Sequence, residues 1–352
     1  MSLAFAWGYR ADARPAIAAL SPARAPRGAA PVTLTMKTQD LLARFASGDV
    51  LAASRLMSVV ERGGGDAETV LDALFARTGR ARRIALTGPG GAGKSTLADG
   101  LTRRLRHAGR SVGVVAEDPS SPFSGGAVLG DRVRMSSAAG DAGVFVRSVA
   151  SRGSETGMSP LACELADVLD AFGRDVVLLE TMGVGQVETR IRFAADTIAV
   201  VMTPESGDEV QSLKAGLLEV ADVFVVNKSD RPGADGFAAD LTAIAGLRRP
   251  GEWVPPVIQT VGSDGSGLDA LEAALEAHRA HLARDGRGEQ RRREALAERV
   301  RALVEDAWRD AWRRDPTARA EFDGMVARVA GGELSPYRAA REISRGLGPK
   351  AS

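Results

Sequence analysis

A run of glycines with a lysine and a serine stands at residues 88–95, Gly-Pro-Gly-Gly-Ala-Gly-Lys-Ser. It matches the Walker A pattern, with an apolar strand before it and a helical stretch after it. Glycines let backbone N–H groups surround phosphates, and the N-terminus of a helix adds partial positive charge. We expect Lys94 to reach the β- and γ-phosphates of a nucleotide and Ser95 to ligate Mg²⁺. The predicted phosphate-binding residues are Gly88, Pro89, Gly90, Gly91, Ala92, Gly93, Lys94, Ser95 and Thr96.

A second motif, Asn-Lys-Ser-Asp, follows another apolar strand at residues 227–230. A carboxylate such as that of Asp230 accepts two hydrogen bonds, from the N1–H and the 2-amino group of guanine. Adenine has no donor at N1 and would leave this carboxylate unpaired, at a cost of about 1–3 kcal/mol. The motif therefore predicts that the nucleotide is GTP rather than ATP, with Asn227, Lys228 and Asp230 at the base.

Acidic residues follow two further predicted strands. In the motif Glu-Thr-Met-Gly, Glu180 takes the place that the Asp of Asp-x-x-Gly has in most GTPases. Its extra methylene predicts contact with Mg²⁺ through a water, and the Gly183 amide is placed to sense the γ-phosphate. The glycine-punctuated segment 117–135 holds Asp118 and Asp131, which we expect near Mg²⁺ or the attacking water. A purely structural turn is the alternative explanation for the glycines of this segment.

The position after Gly183 holds Val184, whereas Ras-like enzymes have a glutamine there that orients the attacking water. Gln186, two residues further along, is the remaining candidate for this role. The sequence therefore predicts slow intrinsic hydrolysis that a partner or an ordered switch accelerates. The predicted catalytic residues are Lys94, Asp118, Asp131, Glu180 and Gln186. The predicted Mg²⁺ ligands are Ser95, Asp118, Asp131 and Glu180.

The composition excludes several other kinds of protein. No apolar run approaches the roughly 20 residues that cross a bilayer, so no membrane partner is expected. The 352 residues carry a net charge of +1, which gives no overall attraction to nucleic acid or anionic lipid. A single cysteine, Cys163, rules out an internal disulfide and a cysteine-cluster metal site. It fits a reducing cytosol, and we expect a cytoplasmic bacterial protein.

Short apolar runs alternate with helical stretches in residues 81–284, which predicts an α/β core with a parallel-rich central sheet flanked by helices. Residues 37–80 have a helical pattern, as do residues 285–352. Residues 1–36 are rich in Ala, Arg and Pro, which fits a disordered extension or a misplaced start codon; a transit peptide is the alternative. Strands are predicted at 83–87, 111–117, 175–180, 197–203, 220–227 and 256–261.

The C-terminal helical region carries an apolar stripe, spaced three and four residues apart, that needs burial against another surface. Either the core of the same chain or a second subunit would cover it. The stripe consists of Leu296, Val300, Leu303, Val304, Trp308 and Trp312. Just before this region, His278 and His281 share one helical face, and we interpret them as solvated surface residues rather than metal ligands.

Three segments together resemble a known family. They are residues 117–135, the string Glu-Thr-Met-Gly-Val-Gly-Gln-Val-Glu at 180–188, and residues 206–230. All three are similar to the MeaB/ArgK-type chaperone GTPases, which are P-loop NTPases and include the methylmalonic aciduria type A protein. The likeness extends from about Thr38 to the C-terminus. It is specific, because GTPases in general share neither the acid-flanked segment nor the Glu-x-x-Gly-x-Gly-Gln-x-Glu string.

The resemblance implies a homodimeric GTPase that assists an adenosylcobalamin-dependent acyl-CoA mutase, usually methylmalonyl-CoA mutase. Such a protein gates cofactor delivery and protects or rescues the mutase, so adenosylcobalamin enters only through the client. The chain itself would bind GTP or GDP with Mg²⁺. The resemblance also implies that residues 183–188 and 204–214 are switches, and that residues 332–337 with the helical arm before them form the dimer.

The sequence departs from the family pattern at two places. Residues 152–157, Arg-Gly-Ser-Glu-Thr-Gly, stand where the family tends to have an apolar residue and paired glycines, so the switch or partner contact of the family is not carried over to Glu155 and Thr156. Val261 replaces the usual Ser of the base-contacting loop, although the amides of Val261 and Gly262 are still expected to meet the guanine oxygen.

Two other functions compete with the mutase chaperone. A metal-insertion GTPase is disfavoured by the presence of only three histidines and one cysteine. A kinase or ATPase of an arginine and ornithine transport system is disfavoured by Asp230, because an adenine base offers this carboxylate no donor at N1.

Overall fold

The computed structural model describes residues 35–118, 140–150, 158–181, 189–206, 219–249, 251–284 and 286–346. It divides into two compact units, one ending at Glu289 and the other beginning at Gln290. None of the helices in the described residues is long and apolar enough to cross a membrane.

Seven strands of the described residues form one sheet in which all neighbouring strands are parallel. The strands are β1 (Arg82–Thr87), β2 (Val112–Asp118), β3 (Val144–Ala150), β4 (Val176–Glu180), β5 (Thr197–Met202), β6 (Val223–Asn227) and β7 (Val257–Thr260). Their order across the sheet is β3-β2-β4-β1-β5-β6-β7. The strands β4, β5 and β6 are buried along their whole length, as continuous apolar runs in parallel sheets are.

Helices cover both faces of this sheet. They are α1 (Met36–Ala46), α2 (Val50–Arg62), α3 (Gly65–Phe75), α4 (Lys94–His107), α5 (Pro160–Ala171), α6 (Ala234–Ala245) and α7 (Leu268–Leu282). Leucines of α4 and α7 bury against one face. The other face is covered by α5 and α6, and α2 and α3 pack on α5. The predicted α/β core with a helical segment before it is therefore confirmed.

The strand β3 was not predicted from the sequence. It lies at one edge of the sheet and pairs with β2, so most of its residues are only partly buried. Arg147 and Ser148 interrupt its apolar run, and Arg147 forms a salt bridge with Glu61 of α2. An edge strand of this kind lacks the continuous apolar run from which the other strands were predicted.

Buried charges lie at the amino edge of the sheet, where the strands begin. Arg83 of β1 donates to Asp167 at 2.7 Å and to Asp170 at 3.0 Å. We call these three residues the Arg83 cluster. The Asp170 carboxylate also accepts the backbone N–H groups of residues 79, 80 and 81. Burial lowers the pKa of Arg83, but attraction by the two carboxylates outweighs it and holds the pKa above its usual value. The cluster joins α5 to the start of β1.

His278 of α7 is buried, so its interpretation as a solvated residue is wrong. Its Nδ1 lies 3.0 Å from the hydroxyl of Thr197, and its Nε2 lies 3.3 Å from the carboxylate of Asp222. The ring also packs on Trp253, with centroids 5.0 Å apart. The physical reason is helical spacing, since His278 follows the buried Leu275 by one turn and continues the apolar stripe of α7 toward the sheet.

The second unit is helical. The helices after α7 are α8 (Arg287–Arg314), α9 (Pro316–Ala330) and α10 (Pro336–Gly346). No residue of α8 is buried, and its predicted apolar stripe is largely exposed, with Trp308 62% exposed. Trp312 packs edge-on against Phe322 of α9, with centroids 5.1 Å apart. An exposed apolar surface of this kind is characteristic of an interaction site.

Candidate nucleotide-binding site

The carboxyl ends of the strands meet at one edge of the sheet, which we call the carboxyl edge. Ligands of open α/β sheets bind in the crevice beyond this edge. The sheet order places β1 between β4 and β5. It therefore puts residues 88–95, which follow β1 and which we call the phosphate loop, in the middle of the carboxyl edge.

The phosphate loop joins β1 directly to α4. Gly88 has a φ of 132°, and a Cβ atom there would lie 1.9 Å from the carbonyl oxygen of Val201 in β5, so no larger residue fits. Lys94, the first residue of α4, is buried. Its Nζ donates to the carbonyl oxygens of Gly88 at 2.8 Å and Pro89 at 2.9 Å. The ammonium group therefore lies within the curve of the loop, beside the N-terminus of the helix.

Ser95, in the first turn of α4, meets Glu180 at the end of β4. The Ser95 hydroxyl donates to Glu180 Oε1 at 2.5 Å. Asp118 ends the neighbouring strand β2, where Ala116 is the residue opposite Glu180. Because side chains alternate along a strand, Asp118 and Glu180 point to the same face of the sheet. Both residues are buried, so two carboxylates and a hydroxyl lie on one face of the carboxyl edge.

The chemistry of Ser95, Asp118 and Glu180 fits a magnesium ion. Mg²⁺ takes oxygen ligands, usually one or two carboxylates together with waters and the phosphate oxygens of a nucleotide. Among the described residues, no cluster of three or more His, Cys, Asp and Glu side chains suits a metal ion. Two carboxylates and a hydroxyl are the kind of donor set that nucleotide phosphates and water complete around Mg²⁺.

Asn227 ends β6 and connects two loops of the carboxyl edge. Its Nδ2 donates to the carbonyl oxygen of Ala92 at 2.7 Å. Its Oδ1 accepts from the Thr260 hydroxyl at 3.1 Å and from the Gly262 N–H at 3.0 Å. The side chain is so close to the phosphate loop that a Cβ on Gly93 would lie 2.3 Å from its Nδ2. Asn227 therefore fixes the phosphate loop against the loop that follows β7.

The next residues turn outward. Lys228 has a φ of 57°, and it is the one non-glycine residue with positive φ in the described part of the chain. Its left-handed conformation lets the Ser229 N–H donate to the carbonyl oxygen of Thr260 at 3.0 Å. Asp230 is exposed beyond this turn, so its carboxylate is accessible to a ligand.

The backbone N–H groups of Val261 and Gly262, which the sequence predicted to meet a guanine oxygen, have hydrogen-bond partners within the protein. The Val261 N–H donates to the carbonyl oxygen of Ser266 at 3.0 Å, and the Gly262 N–H donates to Asn227. Both donors are therefore engaged within the protein and are not directed at a guanine oxygen. The physical reason is local, because the loop after β7 closes on itself and on Asn227.

Two buried contacts hold the strand ends of the site in place. The hydroxyl of Thr181, after β4, donates to the hydroxyl of Thr87, at the end of β1, over 3.1 Å. Glu117 of β2 accepts the N–H of Ser159, the N-cap residue of α5, at 2.7 Å. Burial raises the pKa of Glu117, and the hydrogen bonds from Ser159 act in the opposite direction.

Most of the predicted site residues lie within the part of the chain that the structure describes. Lys94, Ser95 and Glu180 come together at the carboxyl edge, with Asp118 on the next strand and Asn227 on the far side of the phosphate loop. Thr96 is exposed. Thr87, Thr181 and Thr260 were not predicted from the sequence, because a single threonine at a strand end has no distinctive pattern. The predicted residues Asp131, Gly183 and Gln186 and the segment 152–157 lie outside the described residues.

A family model described as methylmalonyl Co-A mutase-associated GTPase MeaB matches residues 53–317. The chain belongs to the MeaB family. This match confirms the resemblance found in the sequence motifs. GTP hydrolysis is the activity of this family. A MeaB-family chain takes a guanine nucleotide as its ligand, usually with Mg²⁺.

Relatives of this MeaB-family chain match most of its length. A protein of Pyrococcus horikoshii that is provisionally named a GTPase is 41% identical over 305 residues, which cover 86% of this chain and 95% of that protein. The mitochondrial methylmalonic aciduria type A homolog of Mus musculus is 32% identical over 263 residues, covering 73% of this chain and 63% of the mouse protein. The crystal structure of an LAO/AO transport system kinase matches with a TM-score of 0.70 and 26% identity, covering 90% of this chain and 99% of that one. This match confirms the P-loop NTPase fold.

Proposed function

We propose that this protein is a GTP-binding and GTP-hydrolysing chaperone for an adenosylcobalamin-dependent acyl-CoA mutase such as methylmalonyl-CoA mutase. It gates the loading of adenosylcobalamin and protects or reactivates the mutase. The observation that carries this proposal is the match of residues 53–317 to the mutase-associated family. The mouse relative is named for methylmalonic aciduria, which fits a client that acts on methylmalonyl-CoA. We place this activity in the cytoplasm.

In the proposed site, Lys94 binds the β- and γ-phosphates. Its ammonium group already lies within the phosphate loop, and its two carbonyl partners can be exchanged for phosphate oxygens at little cost in geometry. Backbone N–H groups at the N-terminus of α4 add donors for the same oxygens. Ser95, Asp118 and Glu180 hold Mg²⁺, which when bound neutralises charge on the phosphates. The buried lysine then stabilises the negative charge that develops during hydrolysis.

Asp230 recognises guanine in this proposal. Its exposed carboxylate accepts the N1–H and the 2-amino group of the base. Asn227 is a positioning residue. Its side-chain amide binds Ala92 and Gly262 and so holds the phosphate loop and the loop after β7 in place around the base. Lys228 supplies the left-handed turn that aims Asp230 outward.

We further propose slow intrinsic hydrolysis, because Val184 stands where a glutamine orients water in Ras-like enzymes. Gln186 is the candidate for this role. Replacing Gln186 by Ala should lower the turnover measured by phosphate release. An unchanged turnover would remove Gln186 from the mechanism.

A homodimer is also part of the proposal. The apolar stripe of α8 supports it, because most of its side chains are exposed in the part of the chain that the structure describes. The segments 183–188 and 204–214 would report the nucleotide state to the mutase.

Nucleotide-dependent binding to the mutase tests the chaperone role. The chain is loaded with GDP or with a nonhydrolysable GTP analogue and mixed with adenosylcobalamin-dependent methylmalonyl-CoA mutase, and complex formation and cofactor loading are measured. We expect both to differ between the two nucleotides. The matched control is Lys94→Ala, in which the nucleotide should make no difference. The proposal is contradicted if the wild-type chain neither binds the mutase nor changes its cofactor loading in either nucleotide state.

Guanine recognition has a separate test. The affinity of the wild-type chain for GDP is compared with its affinity for ADP by titration calorimetry. We expect GDP to bind more tightly, because ADP leaves Asp230 without a donor at N1. Equal affinities would contradict the role of Asp230 and favour the kinase or transport ATPase alternative.

A further inference from the structure

Arg231, the residue after Asp230, forms a salt bridge with the carboxylate of Glu205. Glu205 lies in the short 3₁₀ turn Pro204–Ser206, which follows β5. Arg231 lies in the loop that follows β6, and β5 and β6 are neighbours in the sheet. The ion pair therefore bridges the exits of two adjacent strands at the carboxyl edge.

Arg231 interacts with two carboxylates. The hydrogen bond and attraction from Glu205, with a smaller attraction from Asp230, raise the pKa of Arg231. The same hydrogen bond from Arg231 lowers the pKa of Glu205 to about 2, with help from hydrogen bonds that its own backbone N–H and Thr203 donate. Glu205, Asp230 and Arg231 are all exposed. The guanidinium group can thus move from one carboxylate to the other by side-chain rotation, without a change in the sheet.

The exit of β5 also contacts the phosphate loop. The Val201 carbonyl oxygen is so close to Gly88 that no side chain fits between them. Since Val201 comes only three residues before Pro204, one short stretch of chain contacts the phosphate loop at one end and Arg231 at the other. A shift of this stretch would therefore change the contacts both at Gly88 of the phosphate loop and at Arg231 beside Asp230.

We propose that Arg231 is a positioning residue for guanine recognition and that Glu205 holds it away from Asp230. The inference rests on the proposed role of Asp230 as the guanine acceptor. While Glu205 binds the guanidinium group, the Asp230 carboxylate stays open for the N1–H and the 2-amino group of the base. When Glu205 is displaced or neutralised, Arg231 turns to Asp230 and competes with guanine. The position of the β5 exit therefore sets the affinity for guanine nucleotides.

This arrangement has a reciprocal consequence. If the position of Glu205 changes the affinity for the base, the bound base changes the position of Glu205 by the same free energy. A protein partner that offers Glu205 a cation of its own would release Arg231 onto Asp230 and weaken the binding of GDP. The pair would in this way couple partner binding at the β5 exit to nucleotide release.

Three variants test the inference through GDP affinity, measured by titration calorimetry on the full chain. Glu205→Gln should weaken GDP binding about two- to fivefold, the range expected for an exposed ion pair. Arg231→Met should bind GDP up to about twofold more tightly, because no cation competes for Asp230. The double variant should match Arg231→Met, since the loss of Glu205 has no effect without the arginine.

Two controls separate this effect from a general loss of charge. Glu205→Asp keeps the carboxylate and should recover most of the affinity. Asp306→Asn breaks another exposed ion pair, that with Arg309 on α8, and should leave GDP affinity at the wild-type value. The Glu205→Gln effect should also shrink at molar salt, where exposed charges are screened.

The inference is overturned if Glu205→Gln binds GDP as tightly as the wild type, or if the double variant stays as weak as Glu205→Gln. A wild-type chain that binds GDP and ADP equally would instead contradict the role of Asp230. The two failures are therefore distinguishable.

Discussion

The two edges of the sheet both hold polar and charged groups, but their partners differ. At the amino edge, the partners are fixed between elements: Asp170 binds three backbone N–H groups and Arg83, and His278 lies between Thr197 and Asp222. At the carboxyl edge, Lys94 donates to carbonyls of its own loop. In the proposed nucleotide complex, phosphate oxygens would replace those carbonyls as its partners. Burial of charge by itself therefore does not indicate a binding site; exchangeable partners do.

The largest effect should come from the amino edge. Asp170→Ala removes an acceptor of three N–H groups and leaves the partly buried Arg83 with Asp167 as its remaining carboxylate in the cluster. We expect the free energy of unfolding to fall by about 3–5 kcal/mol, as it does when one partner of a buried ion pair is removed. Urea denaturation measures it, with Asp306→Asn as an exposed control. A loss no larger than that of the control would show that the amino-edge cluster does not stabilise the fold.

At the carboxyl edge, Lys94→Ala should lower GTP turnover about 10²- to 10³-fold, because a preorganised positive charge is lost. Its free energy of unfolding should change by less than about 1 kcal/mol, since the carbonyls of Gly88 and Pro89 to which it donates belong to the loop itself. Phosphate release and urea denaturation on the same samples check both values. A destabilisation as large as that of Asp170→Ala would erase the difference between the two edges.

Asp230→Ala should have a smaller effect, confined to the recognition of the guanine base. GDP affinity should fall about ten- to a hundredfold, since a carboxylate that pairs with two donors is removed. Affinity for ADP should stay unchanged, and Ser229→Ala serves as the neighbouring control. An equal loss of GDP and ADP affinity would indicate that Asp230 supports the loop and does not read the base.

The smallest effect concerns Glu117, a buried carboxylate at the carboxyl edge with a fixed partner. Because burial raises its pKa above the usual 4.5, the folded state binds more protons than the unfolded state from about that pH up to the raised pKa. Stability therefore falls as pH rises through this interval and does not recover above it. Glu117→Gln should remove this fall, with a gain at neutral pH below about 1 kcal/mol. Urea denaturation of both proteins across the pH range measures this difference. If the pH profile of stability is the same in the variant as in the wild type, Glu117 does not cause the fall.

The sequence predicted the central strands and the motifs after them for one reason. Parallel strands buried on both faces are continuous apolar runs, and the polar residues that follow each run stand at the carboxyl edge. The meeting of Ser95 with Glu180 follows from this, because α4 returns over the face to which Glu180 points.

Other features depend on partners that are distant in the chain. The environment of His278 is made by Thr197 and Asp222, which the sequence does not associate with it. The engaged amides of Val261 and Gly262 depend on how one loop closes. The pattern of residue types along one segment carries no information on either arrangement.

The contacts of Asn227 have a consequence for kinetics. They join the phosphate loop to the loop after β7 through groups of the protein alone, so we expect the capture of a nucleotide to require little further ordering of these two loops. The rate of capture should then vary little among guanine nucleotides and site variants, and their affinities should differ mainly through the rate of dissociation. The residence time of the nucleotide is thus the quantity through which a partner at the carboxyl edge can act.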